Sequence, residues 1–311
     1  MDGHAANPGD LSWDAFQEFG EVVVYERTKA DEVVARAYEA DAVFTNKVVF
    51  DDAVMAQLPN LKYIGILATG TNVVDLDAAR KRGIVVTNIP AYSTDSVAQL
   101  VFAHILNILN RTDVYCNDVR NGAWAKNPDF CFWYNQIHEL ACLSLGIVGM
   151  GNIGRKVAEI ALAFGMKVNV FTSKDGSLLP AGVKKKTMDE LLAESDIVSL
   201  HCPLTPTTQS LIRKETIDKM KPSAILVNTG RGPLVDENDV AEALNDGRLA
   251  AYAADVMIQE PPREDNPLFG CKNAYLTPHL AWGTIEARQR LMSIAVENVR
   301  AFVKGTPINR V

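Results

Sequence analysis

Little in this 311-residue sequence is uniform, strongly charged or continuously apolar. No apolar run reaches the ~18–20 residues a helix needs to span a bilayer, and the opening MDGHAANPGD has neither the basic nor the apolar stretch of a secretory signal. The longest basic cluster is Lys184-Lys185-Lys186 and the formal net charge is −7, so the electrostatic footprint of a nucleic-acid or anionic-membrane binder is missing. Cys116, Cys131, Cys142, Cys202 and Cys271 are odd in number, widely spaced and without a C-x-x-C pair, which argues against a disulfide scaffold. No histidine pair has metal-ligand spacing on one helix face, so no metal is expected. These absences predict a soluble cytoplasmic protein with no nucleic-acid and no membrane partner.

What is present is alternation. Short β-branched runs alternate with longer helix-period segments, the pattern of parallel sheets covered by helices on both faces. Expected strands in the first third are 21–25, 41–45, 62–67 and 84–87, with helices at 29–40, 51–58 and 75–81 between them. A long helix over 94–111 is apolar on most of its circumference, which places it between two domains. A polar stretch with clustered aromatics at 129–136 reads as a loop. Alternation then restarts with strands at 143–149, 167–171, 196–200, 224–229, 250–256 and 274–278, the count of a complete dinucleotide-binding fold.

The turn after the first of these strands is the most informative segment. Gly149, Gly151 and Gly154 form G-x-G-x-x-G between a buried strand and a helix. The first glycine permits the tight turn, the second lets backbone approach a pyrophosphate, and the third lets helix pack on strand. The helix N-terminus offers N–H groups and a positive dipole end to phosphates. The end of the next strand sets cofactor preference. NAD sites place a carboxylate there, but here the chain reads Thr172-Ser173-Lys174, which favours tolerance of the NADP 2′-phosphate unless Asp175 turns inward. Arg231, Glu260 and His279 follow the ends of later strands, where open α/β sheets bind ligands.

The run GMGNIG, then HCPLTPTT (201–208), NTGRGPLVDE (228–237), the segment from Asp255 to Glu260-Pro261, and TPHLAWGT (277–284) resembles the D-isomer-specific 2-hydroxyacid dehydrogenase family. The likeness extends through LATGTNVVD (67–75) and AYSTDSVAQ (91–99) to nearly the whole chain. DLSW (10–13), FCFW (130–133) and PHLAW (278–282) look most like the glycerate dehydrogenase, or hydroxypyruvate reductase, branch.

The resemblance implies an α/β protein of two doubly wound parallel-sheet domains. A Rossmann nucleotide-binding domain, 98–284, would be inserted into a flavodoxin-like substrate-binding domain, 1–97 plus 285–311. It implies hydride transfer between NAD(H) or NADP(H) and a small 2-oxo or 2-hydroxy acid. Arg231 would clamp the substrate, His279 would act as acid and base, and Glu260 would fix its tautomer. Cofactor contacts would come from Gly149, Gly151, Asn152, Ile153 and Gly154, then Thr172, Ser173 and Lys174. Cys202, Pro203 and Leu204 would border the adenosine, Thr229 and Gly230 the nicotinamide riboside, and Asp255 the carboxamide. Thr69, Gly70 and Thr71 would take the substrate carboxylate from the first domain, and Trp133 would reach a neighbouring subunit's site in a homodimer. Other readings are a dehydrogenase for another small 2-oxo acid, such as a short-form phosphoglycerate dehydrogenase, and a nicotinamide-sensing corepressor-like binding protein. The family's short first strand is not matched at the start of this chain, so the first sheet is expected to have a weakened core or an edge covered by a neighbouring segment.

Overall fold

The computed structural model describes all 311 residues. They form two compact units, Met1–Ser93 with Trp282–Val311, and Thr94–Ala281. No helix is long and apolar enough to cross a membrane.

The first unit carries three parallel strands, β1 (Ala42–Thr45), β2 (Tyr63–Ile66) and β3 (Val85–Thr87), in the order β1-β2-β3. Residues 21–25, expected as a strand, pair with none. Val22, Val23 and Val24 are 39%, 61% and 39% exposed, and they line a cavity of about 670 Å³ beside β1 together with Phe16, Val43 and Phe44. A β-branched run becomes a strand only when it pairs in a ladder, and this run and the outer edge of β1, both unpaired, line the same cavity. At that edge the Met1 ammonium donates to the Phe44 carbonyl at 2.8 Å, and the Asp2 carboxylate accepts from the Asn46 and Lys47 amides. The expected helix over 29–40 is likewise shorter, a 3₁₀ turn Ala30–Glu32 followed by Val33–Ala37. The last helix, Ile285–Val303, packs Ala287, Leu291 and Ala295 against Ala6, Phe16 and Ile89 of this unit. Its Arg288 grips Asp10 of the N-terminal segment through two 2.6 Å hydrogen bonds.

The second unit is a seven-stranded, all-parallel sheet: β4 (Ser144–Val148), β5 (Lys167–Phe171), β6 (Val183–Lys185), β7 (Ile197–Leu200), β8 (Ile225–Asn228), β9 (Ala251–Ala254) and β10 (Ala274–Leu276). Every residue of β4, β7, β8 and β9 is buried, as strands covered on both faces must be. On one face Ile147, Val227 and Ala253 meet the helices Thr94–Asn110 and Asn152–Ala163. On the other, Val148, Val198 and Leu226 meet Met188–Glu194 and Glu237–Asn245. Helix Thr94–Asn110, expected as a connector between domains, belongs wholly to this unit, with Ala98, Val101 and Ile105 in its core. β6 is a strand the sequence did not announce. Its VKK is short and charged, suited to an edge that must not recruit another chain.

The strand order is β10-β9-β8-β7-β4-β5-β6. From β4 the chain steps outward to β5 and β6, then returns to β7 on the other side of β4 and proceeds to β10. That reversal opens a crevice at the carboxyl ends of β4 and β7, where open α/β sheets bind their ligands.

Candidate active site

Backbone geometry explains the glycines at this crevice. Gly149 has φ 98°, and a Cβ there would lie 2.7 Å from the backbone of His201 and Cys202. A Cβ on Gly154 would lie 2.2 Å from the Gly149 carbonyl oxygen, so helix Asn152–Ala163 packs this closely on β4 only with glycine. Gly151 differs: its Cβ would meet nothing within 4 Å. It is the N-cap of that helix and has no side chain to satisfy the first-turn N–H groups, among them those of Asn152 and Ile153. An open backbone face beside uncapped amides is a cradle for phosphate oxygens.

Beside β5, Thr172 Oγ1 accepts from the Lys174 amide at 3.2 Å. The Asp175 carboxylate is turned to its own turn, accepting from the Ser177 hydroxyl and amide at 2.7 and 2.8 Å, and these bonds hold its carboxyl below the usual range. Lys185 donates its ammonium to the Lys174 carbonyl at 2.6 Å, adding a second cation to the loop. After β7, Thr208 Oγ1 donates to the Pro203 carbonyl and accepts from the Thr205 amide, which shapes the turn following Cys202, Pro203 and Leu204. Burial pushes His201 down to about 4, so this imidazole is neutral at physiological pH, bonded to Ser199 Oγ at 2.8 Å.

The end of β8 is strapped by Asn228, fully buried. Its Oδ1 accepts from the Gly230 amide at 3.0 Å and its Nδ2 donates to the Arg231 carbonyl at 2.9 Å. Gly232 lets this turn lie against the exit of β9, since a Cβ would come within 1.9 Å of the Met257 backbone. The turn presents the exposed Arg231 guanidinium, folded back on the Gly230 carbonyl at 2.8 Å. It also holds Thr229 Oγ1, buried and without a hydrogen-bond partner. Buried hydroxyls are nearly always bonded. An orphaned hydroxyl on one strand end and the open glycine cradle on β4 together fit a dinucleotide laid across the crevice.

Glu260 and His279 meet on the far side of Arg231's strand. Glu260 Oε2 lies 2.6 Å from His279 Nδ1, while its Oε1 accepts from the Met257 amide at 3.0 Å. A carboxylate only accepts, so Nδ1 carries hydrogen and Nε2, which makes no hydrogen bond within the chain, is the nitrogen left for a ligand. The two side chains are 33% and 28% exposed, sheltered but reachable. His279 adopts φ 51°, a left-handed conformation costing about 1–3 kcal/mol in a non-glycine residue, which persists only when its surroundings over-determine it. Asp255, 1% exposed, supplies part of that constraint: its carboxylate accepts from the Thr277 hydroxyl and from the amides of Leu280 and Ala281. Three bonds leave the carboxylate one acceptor site for a further donor.

Glu237 was not singled out in the sequence. It is 7% exposed and receives the Ile258 amide and Asn266 Nδ2, both at 2.7 Å, so it anchors the loop that carries Glu260. The signal lay in the acidic end of LVDE, which reads equally as a helix start. In the first unit, Thr69, Gly70 and Thr71 follow β2. Thr69 uses its hydroxyl on the Ile89 carbonyl and its carbonyl on Asn88 Nδ2, while the amides of Gly70 and Thr71 make no hydrogen bond within the chain. Trp133 lies in an irregular segment and is 64% exposed.

A parallel sheet that places a phosphate cradle, an unpaired threonine, an arginine and a carboxylate-held histidine along one carboxyl edge belongs to a nicotinamide-dependent oxidoreductase. Residues 102–281 match the D-isomer specific 2-hydroxyacid dehydrogenase, NAD binding domain, family. The chain is 44% identical to the hydroxypyruvate reductase of Blautia hydrogenotrophica, covering 99% of this chain and 97% of that protein. It is 41% identical to the glycerate dehydrogenase of Methylorubrum extorquens, over 92% and 90% of the two chains. Among solved structures, D-lactate dehydrogenase from Aquifex aeolicus complexed with NAD and lactic acid is similar, with a TM-score of 0.78 and 32% identity over 94% of this chain and 91% of that one. The protein belongs to the D-isomer-specific 2-hydroxyacid dehydrogenases and is an NAD-dependent enzyme acting on 2-hydroxy acids.

Proposed function

We propose that this enzyme reduces hydroxypyruvate to D-glycerate, with glyoxylate to glycolate as a second reaction, using NADH or NADPH. The 2.6 Å Glu260–His279 pair on the strand edge that also carries Arg231 is the observation that bears most weight. The names of the relatives at 44% and 41% identity favour this substrate class.

Bound nicotinamide supplies the hydride. Arg231 swings from the Gly230 carbonyl to the substrate's carboxylate and carbonyl oxygens, a planar fork that fits two oxygens and stays charged. His279 donates the Nε2 proton to the carbonyl oxygen as carbon is reduced, and withdraws it in the reverse direction. Glu260 keeps Nδ1 protonated and holds the ring plane, so that Nε2 is the nitrogen that gains and loses hydrogen. The free amides of Gly70 and Thr71 are suited to a substrate carboxylate. Thr229 Oγ1 and the remaining acceptor of Asp255 are suited to the nicotinamide riboside and carboxamide, and Gly149, Gly151, Asn152, Ile153 and Gly154 to the pyrophosphate. Cys202, Pro203 and Leu204 border the adenosine.

Cofactor tolerance follows from charge. Thr172 stands where an NAD-selective site has a carboxylate, Asp175 is engaged by Ser177, and Lys174 and Lys185 leave the region positive. Phe130, Trp133, Tyr134 and Ile137, between 55% and 89% exposed within one irregular segment, suit contact with a second copy of the chain, with Trp133 reaching the partner's substrate. Sedimentation as a 34.0 kDa species alone would remove the dimer. For the reaction itself, initial rates with hydroxypyruvate, glyoxylate, pyruvate and 3-phosphohydroxypyruvate against both cofactors are the test. Hydroxypyruvate is expected to give the highest kcat/KM, with NADPH within about tenfold of NADH, a difference of roughly 1.4 kcal/mol. A phosphorylated preference would overturn the substrate assignment, and a hundredfold NADH preference the cofactor one.

A further inference from the structure

His104 is a buried titratable group that the proposed chemistry does not use. It sits on the core-facing side of helix Thr94–Asn110, 5% exposed. Its Nε2 lies 3.2 Å from Thr277 Oγ1, and Thr277 Oγ1 lies 2.6 Å from Asp255 Oδ1. Hydrogen accounting fixes the direction of this chain. The carboxylate only accepts, so the Thr277 hydroxyl hydrogen points to Asp255. The hydroxyl oxygen can then only accept from the ring, so Nε2 carries a hydrogen and donates it. Desolvation holds the imidazole below its usual value, against the pull of Asp255, so the neutral Nε2–H tautomer is the resident form.

The chain ends on the loop of His279. Asp255 accepts from the amides of Leu280 at 2.9 Å and Ala281 at 2.8 Å, the two residues that follow it. His279 donates its own amide to the Thr277 carbonyl at 3.0 Å. The helix of His104 grips the same loop a second time, through Ser96 Oγ donating to the Ala281 carbonyl. We propose that His104 is a positioning residue for the reduction: through the Thr277 hydroxyl it orients the Asp255 carboxylate, which clamps the left-handed turn that aims His279. The proposal rests on His279 being the proton donor. A residue filling apolar space would need no donor at this position. The role assigned here needs one, and an Nε2–H in particular.

The test uses four variants of the full chain, His104→Leu, His104→Gln, Thr277→Val and Thr277→Ser. Gln carries an amide N–H at nearly the same distance from Cα as the imidazole Nε2, and Ser keeps the hydroxyl. Two readouts are taken: hydrogen exchange of the Leu280 and Ala281 amides in cofactor-free protein, and kcat with KM for hydroxypyruvate and NADH. Losing one bond of the chain is expected to speed exchange and lower kcat by roughly 3- to 10-fold in His104→Leu and Thr277→Val. Gln and Ser restore both readouts to within about twofold, and combining Leu and Val is no worse than either alone, because they break one chain. Wild-type exchange and kcat in a folded His104→Leu, or equal damage from Gln and Leu, overturns the proposal. If His104→Leu does not fold, the Gln, Val and Ser variants decide by the same criteria. Exchange behaving as expected in a protein whose unmutated form reduces no 2-oxo acid counts against the functional reading and not against the clamp.

Discussion

Replacing His279 by Gln is expected to lower the rate of hydroxypyruvate reduction by about 10²–10⁴-fold, the scale of losing a positioned general acid. The amide of Gln is a donor of similar reach but gives up no proton, so binding should survive where turnover does not. NADH affinity, read by fluorescence quenching, is expected to stay within a few-fold, because the glycine cradle and Thr229 lie on other strand ends. Because Glu260 holds the Nδ1 side of the ring and leaves Nε2 in place, Glu260→Gln should lower the rate less than His279→Gln. An unchanged rate in His279→Gln at saturating substrate would remove the residue from the chemistry.

Arg231→Ala should act on both kinetic constants. A guanidinium holding a carboxylate and a carbonyl oxygen makes charge-assisted bonds of roughly 1.5–3 kcal/mol each. Losing two costs on the order of 3–6 kcal/mol, or about 10²–10⁴ in kcat/KM. The carboxylate contact is made in ground and transition state alike and falls on KM. The contact to the carbonyl oxygen strengthens as that oxygen gains charge, and falls on kcat. The turn should survive the substitution, since Asn228 holds it through the Arg231 carbonyl and the Gly230 amide. Lysine at this position should recover little, because it offers one point charge where a fork is needed. Normal KM and kcat in Arg231→Ala would show that the clamp lies elsewhere.

How much of this was legible in the sequence depended on what each signal needs. Strands β4, β7, β8 and β9 were readable because strands buried on both faces have no polar alternation to confuse with helix. β6 was not, since three residues ending in two lysines carry no hydrophobic pattern. Residues 21–25 erred in the other direction: EVVVY has strand propensity, and propensity alone makes no strand without ladder pairing. Helix Thr94–Asn110 showed its apolar circumference correctly but not its unit, because periodicity does not name the partner that covers a face.

At the site, residue types in ordered motifs pointed to Arg231, Glu260 and His279, and the Glu260–His279 contact across 19 positions was reached through resemblance and not through spacing. The supporting groups were less visible. Glu237 was not singled out and Asn228 fell at the end of an expected strand, and each serves as a strap that holds backbone groups any sequence provides. His104 was hidden most completely, because its partner Thr277 lies 173 residues away. A lone histidine on an apolar helix carries no mark of the hydroxyl it will meet.

In the proposed mechanism, reduction directed by His279 and Arg231 is stereospecific. This is tested most directly by incubating the purified protein with hydroxypyruvate and reduced cofactor, and determining the configuration of the glycerate formed by chiral chromatography. D-Glycerate in one-to-one proportion to cofactor oxidised is expected, with the same configuration from either cofactor. L-Glycerate, a racemic product, or cofactor that binds without being oxidised would contradict the mechanism.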